Sequence, residues 1–583
     1  MSKLNILLIT SDQQHWRTLG QNNAEIQTPA LDKLAAQGTT FARAYCPNPT
    51  CTPTRSSMIT GKYPSQHGAW SLGTKLPESE TTLGEHLGAA GYRTALVGKA
   101  HFQPLQSTEE YPSLESYPIL QDLDFWADFD GPFYGFDHIE LARNHTDEAH
   151  VGQHYALWME EKGLDNWRDY FLEPTGHVED QRRKWLIPEP YHYNAWIAEG
   201  SEALITEYHD RNQPFFLWAS FFDPHPKYLA PEPWDTMYDP AEVTVPSVTP
   251  GEHEARGRVD TAPSPPHLQL TQTAEPDYSA WQEANGSGCH GFHSHLHDRH
   301  ELAKDIACYY GMISCMDKYI GQIIDHLDRL GLADDTLVVF TSDHGHYFGQ
   351  HGLIAKGAFH YEDGIRVPMI ARLPGQIPAG HVSDSLQSLV DYAPTFLSFC
   401  GIDIPEEMTG VDQRAVWTGD DSKARDHVMV ENRHQPTTLH LKTYIDERYK
   451  LTLYFNCDYG EIYDLRDDPG EVANLYADED LRAQLTEAML RAEMLKEEPL
   501  RDDSLRHKSA AMYVKSANKG RYRINFDPAA DRYELFDLSA DPARLHNLWE
   551  EPGFARTRAD MLRTLLFSRW GLEPLWMPRV SGA

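Results

Sequence analysis

No apolar run in this chain of 583 residues is long enough to cross a bilayer, so no membrane role is expected. The opening segment, Met1 to Thr10, goes straight into apolar residues. That run is too short for the core of a secretory signal, and no small-residue cleavage site follows it. It reads better as the first buried strand of a parallel sheet, and a cytoplasmic enzyme is the expectation. Cysteine is scarce. Seven residues at irregular spacing make no disulfide framework. Cys308, Cys315 and Cys400 sit among apolar neighbours and read as core. Positive charge is also in deficit: 51 Lys and Arg stand against 87 Asp and Glu, a formal net charge of -36. That balance excludes nucleic acid and an anionic membrane as partners. It also sets a condition: a site for an anionic substrate must be locally positive against the field of the whole chain.

The length exceeds one compact core and implies two domains, or one large domain with a satellite. Strand-like segments at 4–11, 92–97, 215–221 and 336–341 alternate with helix-like segments at 29–38, 81–90 and 301–331. Thr28-Pro29 provides a cap and a first-turn proline, and Gly38 a stop. In the last helix Ile306, Tyr309, Tyr310, Ile313, Met316, Ile320, Ile323 and Leu327 recur at helical spacing. This alternation predicts an α/β fold with a mostly parallel central sheet flanked by helices. Residues 104–195, acidic and rich in Trp and Tyr, and 226–300, rich in Pro, His and Gly, interrupt it. Each reads either as a lid or substrate wall or as surface elaboration. The aromatics Tyr111, Tyr117, Phe125, Trp126, Phe133 and Tyr134 could stack on a substrate ring or form the core of their own insertion.

The predicted catalytic domain covers 1–430, and 431–583 forms a smaller C-terminal α+β subdomain with an antiparallel sheet. Within the latter, the segment from Glu461 to Leu475 is echoed from Glu534 to Leu548, each copy carrying Asp-Pro and Asn-Leu. Strand-like residues precede both copies, at Tyr449–Tyr454 and Tyr522–Phe526. The second copy either extends the sheet within the subunit or reaches a neighbour in a homo-oligomer.

The strongest local signal is Cys51-Thr-Pro-Thr-Arg55, closing on Thr60-Gly61. Helix propensity after Pro53 places Cys51 near a helix N-terminus, where backbone N–H groups favour an anion. The alternative for Cys51 alone is a structural thiol, paired or unpaired with Cys46. Asp12-Gln13 follows the first strand and Asp343-His344-Gly345 the strand at 336–341, at the edge where α/β sites assemble. Gly98-Lys99-Ala-His101 follows another strand, Pro224-His225-Pro226 a fourth, and Lys356 lies beyond the Asp-His-Gly turn.

Together these motifs resemble the formylglycine-dependent type I sulfatases of the alkaline phosphatase superfamily, over nearly the whole chain. The resemblance implies an alkaline-phosphatase-like fold with a smaller C-terminal domain. It implies that Cys51 is converted to formylglycine by a formylglycine-generating maturation enzyme. The hydrated aldehyde offers two hydroxyls on one carbon, one to attack sulfur and one to expel sulfate afterwards. Asp12, Gln13, Asp343, His344 and residue 51 would hold one divalent metal, Ca²⁺ or Mn²⁺, oxygen ligands suiting either and the imidazole favouring Mn²⁺. Arg55 would stabilise the formylglycine hydroxyl and His101 act as base. Lys99 and Lys356 would bind sulfate oxygens, and His225 with Lys356 would bind or protonate the leaving group. Many family members carry Asp-Asp and Asp-Asn where Gln13 and His344 stand, so metal identity is open. The substrate implied is a sulfate ester of a saccharide or another small molecule.

A phosphonate monoester or phosphodiester hydrolase of the same superfamily is the nearest alternative, and Gln13 and His344 suit it. Lys99 and His101 suit a sulfatase better. A non-catalytic binding protein on the same scaffold is a third reading, opposed by the intact set of nucleophile, ligands and lysines. The histidines His290, His293, His295, His297 and His300 lack a metal-ligand spacing and read as a mobile lid or as a solvated loop lending one histidine to substrate.

Overall fold

The computed structural model describes residues 3–143, 151–172, 184–246, 299–357, 359–434, 439–496, 515–527, 530–571, 573 and 575–581. His290, His293, His295 and His297 lie outside them; His300 opens a long helix and is exposed. No helix among the described residues is long and apolar enough to cross a membrane.

The central sheet has nine strands: β1 (Asn5–Ser11), β2 (Thr39–Tyr45), β3 (Arg93–Gly98), β4 (His138–Leu141), β5 (Phe215–Ser220), β6 (Thr336–Ser342), β9 (Arg366–Val367), β10 (Met369–Arg372) and β11 (His381–Ser388). A two-stranded ribbon, β7 (Tyr347–Phe348) and β8 (Ile354–Ala355), stands apart from it. The strand order is β11-β2-β10-β6-β1-β5-β3-β4, with β9 on β2. The β1, β3, β4, β5 and β6 ladders are parallel; β10 runs antiparallel to β6 and β2. All of β1, β5 and β6 is buried, which explains their near-continuous apolar sequences.

Because side chains alternate across a strand, the sheet feeds two cores. Leu7, Ile9, Val97, Leu217 and Val338 face helices α1 (Pro29–Gln37), α4 (Tyr193–Asp210) and α5 (Arg299–Leu330). Ile6, Leu8, Leu96, Phe216 and Val339 face α2 (Cys51–Thr60), α3 (Leu83–Ala89) and α6 (Tyr392–Phe399). The α/β expectation holds, and the sheet is the mostly parallel one foreseen.

The stretch 104–195 differs from a simple insertion in one respect. It supplies β4, which pairs in parallel with β3 and completes one edge of the sheet. Of its six singled-out aromatics, only Tyr117 is exposed; Trp126 and Phe133 are buried, and edge-to-face contacts such as Phe125–Trp126 and Phe133–Tyr134 join them. They form core.

Beyond the catalytic layers lie a four-stranded antiparallel sheet, β12 (Val428–His434), β13 (Leu439–Ile445), β14 (Tyr449–Tyr454) and β15 (Gly460–Asp464), and helix α7 (Glu479–Lys496). The second copy of the repeat makes its own sheet of β16 (Lys515–Lys519), β17 (Tyr522–Asp527) and β18 (Arg532–Asp537), followed by α8 (Ala555–Trp570). It does not extend the first sheet. The two copies instead share a core that includes Leu485, Met489, Leu562 and Leu566 from α7 and α8.

Candidate active site

Register places the site. Ser11 pairs with Ser342 and Gly98 with Ser220, so Asp12, Asp343 and Lys99 leave the sheet at one level on its carboxyl edge. Gly98 has φ +112, and a Cβ there would lie 1.9 Å from the Ser220 carbonyl oxygen, so only glycine lets β3 turn out this close to β5. Opposite, α2 begins at Cys51 and every residue in it is buried. Its entry is pinned by Asn48, whose carbonyl accepts from Thr54 Oγ1 at 2.6 Å and whose side chain donates to the Glu431 carbonyl at 2.6 Å.

Asp12, Cys51, Arg55, Lys99, His225, Asp343, His344 and Lys356, all singled out from sequence, come together here. Ligand atoms of Asp12, Cys51, Asp343 and His344 all lie within 4.8 Å of one another, and all four residues are buried. His344 Nε2 is 3.2 Å from Cys51 Sγ, and Asp12 Oδ1 is 3.7 Å from it. Lys356 Nζ, carried just past β8, is 3.0 Å from Cys51 Sγ, 3.0 Å from His225 Nε2 and 3.5 Å from His344 Nε2. Asn432 of β12 donates to the adjoining Gly357 carbonyl at 3.0 Å. Lys99 Nζ binds Asp12 and lies 4.0 Å from Cys51 Sγ. Arg55 donates from Nε to Asp343 Oδ2 at 2.8 Å and from a terminal nitrogen to Ser220 Oγ at 2.7 Å, and stands 3.8 Å from Asp12.

Gln13 sits at φ +64, a left-handed conformation held by its N–H donating to Asp343 Oδ1 at 3.0 Å and its carbonyl accepting from Tyr309 at 2.8 Å. Its side-chain Nε2 reaches His346 Nδ1 at 2.7 Å. Its Oε1 is buried without a hydrogen-bond partner. Two buried carboxylates, an imidazole and residue 51 with ligand atoms within 4.8 Å of one another, and the unpartnered Gln13 oxygen on the residue after Asp12, make a donor set that suits a divalent cation, so these residues fit a metal.

Buried Arg55, Lys99 and Lys356 outnumber the carboxylates Asp12 and Asp343, which meets the condition set by the negative chain. Burial pushes the Asp12 carboxyl up, but Lys99, His225, Arg55 and Lys356 outweigh it and hold the pKa well below the usual carboxylate value. For Cys51, burial and Asp12 push the thiol up; Lys356 and Lys99 prevail, and its pKa lies below the ordinary thiol value. Burial, then Lys356, lowers His225 well below an ordinary histidine. Burial, then Arg143, does the same for His101.

The motifs did not reveal Ser220, His346, Glu115 or Arg143. His346 could have been found, as the second histidine of Asp343-His-Gly-His346. Arg143 follows β4 at the same sheet edge, but the short segment His138–Leu141 gave no clear strand signal. The six described cysteines are all free, Cys46 included, so it does not pair with Cys51.

Comparison with known proteins agrees with this geometry. Residues 4–402 match the sulfatase family, and residues 349–498 match the N-sulphoglucosamine sulphohydrolase C-terminal family. An arylsulfatase of Clostridium perfringens is 27% identical over 83% of this chain and 92% of its own length. An N-acetylglucosamine-6-O-sulfatase of Bacteroides thetaiotaomicron is 24% identical over 80% of this chain and 81% of its own. Among solved structures, a phosphonate monoester hydrolase of Silicibacter pomeroyi superposes with a TM-score of 0.67 at 23% identity, over 90% of this chain and 99% of that one. That likeness shows a shared fold; the family match, across more than half of the chain and through every motif of the site, shows that the protein belongs to the sulfatase family.

Proposed function

We propose that the protein hydrolyses sulfate monoesters of saccharides through formylglycine at position 51, formed from Cys51 by a maturation enzyme, with one Ca²⁺ or Mn²⁺. The observation that carries this reading is the convergence of Cys51, at the N-terminus of a buried helix, with Lys99, Lys356, Asp12, Asp343 and His344. The saccharide is supported by the relative named for N-acetylglucosamine-6-O-sulfate chemistry.

Asp12, Gln13, Asp343, His344 and residue 51 would hold the cation, which supplies positive charge for sulfate and residue 51 oxygens. A hydrated aldehyde at position 51 would supply the attacking hydroxyl and a second one for release of sulfate. Lys99 and Lys356, 4.0 and 3.0 Å from Cys51 Sγ, draw sulfate oxygens into the cradle and offset charge that grows as the ester bond breaks. Arg55 pairs with Asp343 and stands 3.8 Å from Asp12, which offsets the charge of two buried carboxylates beside an anionic substrate. Lys356 and His225, 3.0 Å apart, form the pair placed to deliver a proton to the leaving oxygen. The buried position of residue 51 excludes bulk water from competing attack.

The test is a comparison of kcat/KM for 4-nitrophenyl sulfate and phenyl phosphonate monoester, with protein made alongside a formylglycine-generating enzyme. Faster sulfate turnover, lost by about 10⁴-fold or more in Cys51→Ala, is expected. Faster phosphonate turnover would replace this reading with that of a phosphonate hydrolase.

A further inference from the structure

Glu115 and Arg143 belong to the stretch 104–195, and both are buried at the edge of the site. The Glu115 carboxylate accepts three consecutive backbone N–H groups: His101 on Oε1 at 2.7 Å, and Phe102 and Gln103 on Oε2 at 2.8 Å each. Successive amides converging on one anion form a nest. His101, the first of them, has φ +57, a conformation a histidine adopts only when its surroundings hold it there. Arg143 completes the arrangement. One terminal nitrogen lies 3.5 Å from Glu115 Oε1 and donates to the Gln103 carbonyl at 2.8 Å; the other is 2.7 Å from His101 Nε2.

A guanidinium has only donors. His101 Nε2 must therefore accept, and the neutral ring carries its proton on Nδ1. We infer that Glu115 and Arg143 are positioning residues that clamp the His101 backbone and fix its Nδ1–H tautomer for the reaction at residue 51. The inference rests on the sulfatase reading, in which the family resemblance gives His101 the part of base. It revises that part: a ring whose Nε2 is committed to Arg143 enters the cycle as a hydrogen-bond donor through Nδ1, not as a base through Nε2. It also assigns a task to 104–195, which delivers both clamp residues. Burial and the Arg143 charge lower the His101 pKa well below the ordinary value, in keeping with a neutral ring.

The experiment is a double-mutant cycle joined to a tautomer measurement. Arg143→Met, Arg143→Lys and Glu115→Gln are each made in wild-type and His101→Ala backgrounds. They are assayed on whichever ester the wild type turns over, 4-nitrophenyl sulfate or phenyl phosphonate, so failure of the sulfatase reading does not remove the test. Arg143→Met and Glu115→Gln should each lower kcat about 10- to 100-fold with little change in KM. Arg143→Lys should recover part of the loss. In the His101→Ala background none should lower kcat further. An equal loss in both backgrounds overturns the clamp. Independently, ¹⁵N-histidine spectra of the wild type at neutral pH, with His101 assigned by its absence in His101→Ala, should show an unprotonated Nε2. A protonated Nε2 overturns the tautomer assignment even if no ester is cleaved.

Discussion

The two copies of the C-terminal repeat share a backbone design and differ in what they hold. In the first, Asn474 Oδ1 accepts from Ile462 and Tyr476 N–H groups and its amide donates to the Gly460 carbonyl; in the second, Asn547 does the same with Leu535, Trp549 and Tyr533. Asp468 accepts from Ala473 N–H as Asp541 does from His546 N–H, both at 2.8 Å. Glu471 and Arg544, at matching places, both take a left-handed φ, 53° and 56°. Apolar positions match as well: Leu451, Leu453 and Ile462 are as buried as Ile524, Phe526 and Leu535.

The charged positions diverge. Lys442, Lys450 and Glu471 are buried in the first copy, whereas Lys515 and Arg523 are half-buried and Arg544 exposed in the second. Lys442 and Lys496 bind Glu431, and Lys450 binds Glu362 and Glu471. Glu431 in turn accepts from Ser65 N–H at 3.0 Å, and its backbone contacts Pro47 and Asn48, just ahead of Cys51. Asparagine, aspartate and the apolar residues thus specify the unit; the buried Lys450–Glu362 pair and the bonds of Glu431 to Ser65, Pro47 and Asn48 dock one copy to the catalytic layers.

Breaking the docking should have the largest effect. Glu431→Gln removes one of the two buried carboxylates that Lys442 and Lys496 share, leaves them Glu493, and is expected to destabilise the protein by about 3 kcal/mol. Turnover should fall as well, because the Cys51 entry loses its support. Denaturant melts and kcat/KM check both, and an unchanged Tm would separate the ion pairs from stability. Next, Asn474→Ala and Asn547→Ala each strand two backbone N–H groups, at about 1–3 kcal/mol. Only the first should reduce activity. Equal losses of turnover would mean that both copies support the site.

A graded effect is expected in acid. His67, bonded to Ser57 on α2, and His360, bonded to Thr443 on β13, are held by burial to a pKa of about 3, against an ordinary 6.5. An unfolded chain takes up these protons below pH 6.5 and the native one does not. Stability from each is therefore complete above 6.5 and lost as pH falls towards 3, by about 1.4 kcal/mol per pH unit. A His360→Gln variant should show a shallower acid slope in thermal melts. The smallest effect belongs to the pairs Arg448–Asp464 and Arg521–Asp537, whose arginines are open to solvent over their buried aspartates, where Arg→Gln in either copy should move Tm little.

Much of this was legible in the sequence because buried parallel strands are written as unbroken apolar runs, and the motif residues follow their ends. β1, β3, β5, β6 and the long α5 could be read in this way. β4 could not: four residues with charge at His138 and Glu140 carry no strand pattern, and its pairing with β3 decides its conformation. The antiparallel β10 was hidden for the same reason. In the site, side chains on strand ends were found and those that hold them were not. Glu115 meets His101 through a loop, and Arg143 through strand pairing, neither of which leaves a local pattern.

Whether Cys51 is the precursor of the nucleophile is decided by the mass of the peptide that contains it. Protein produced together with a formylglycine-generating enzyme should yield that peptide about 18 Da lighter, as sulfur and two hydrogens give way to oxygen, whereas ordinary thiol oxidation adds mass. A peptide that retains the intact thiol under those conditions would contradict the account and require a different nucleophile for this site.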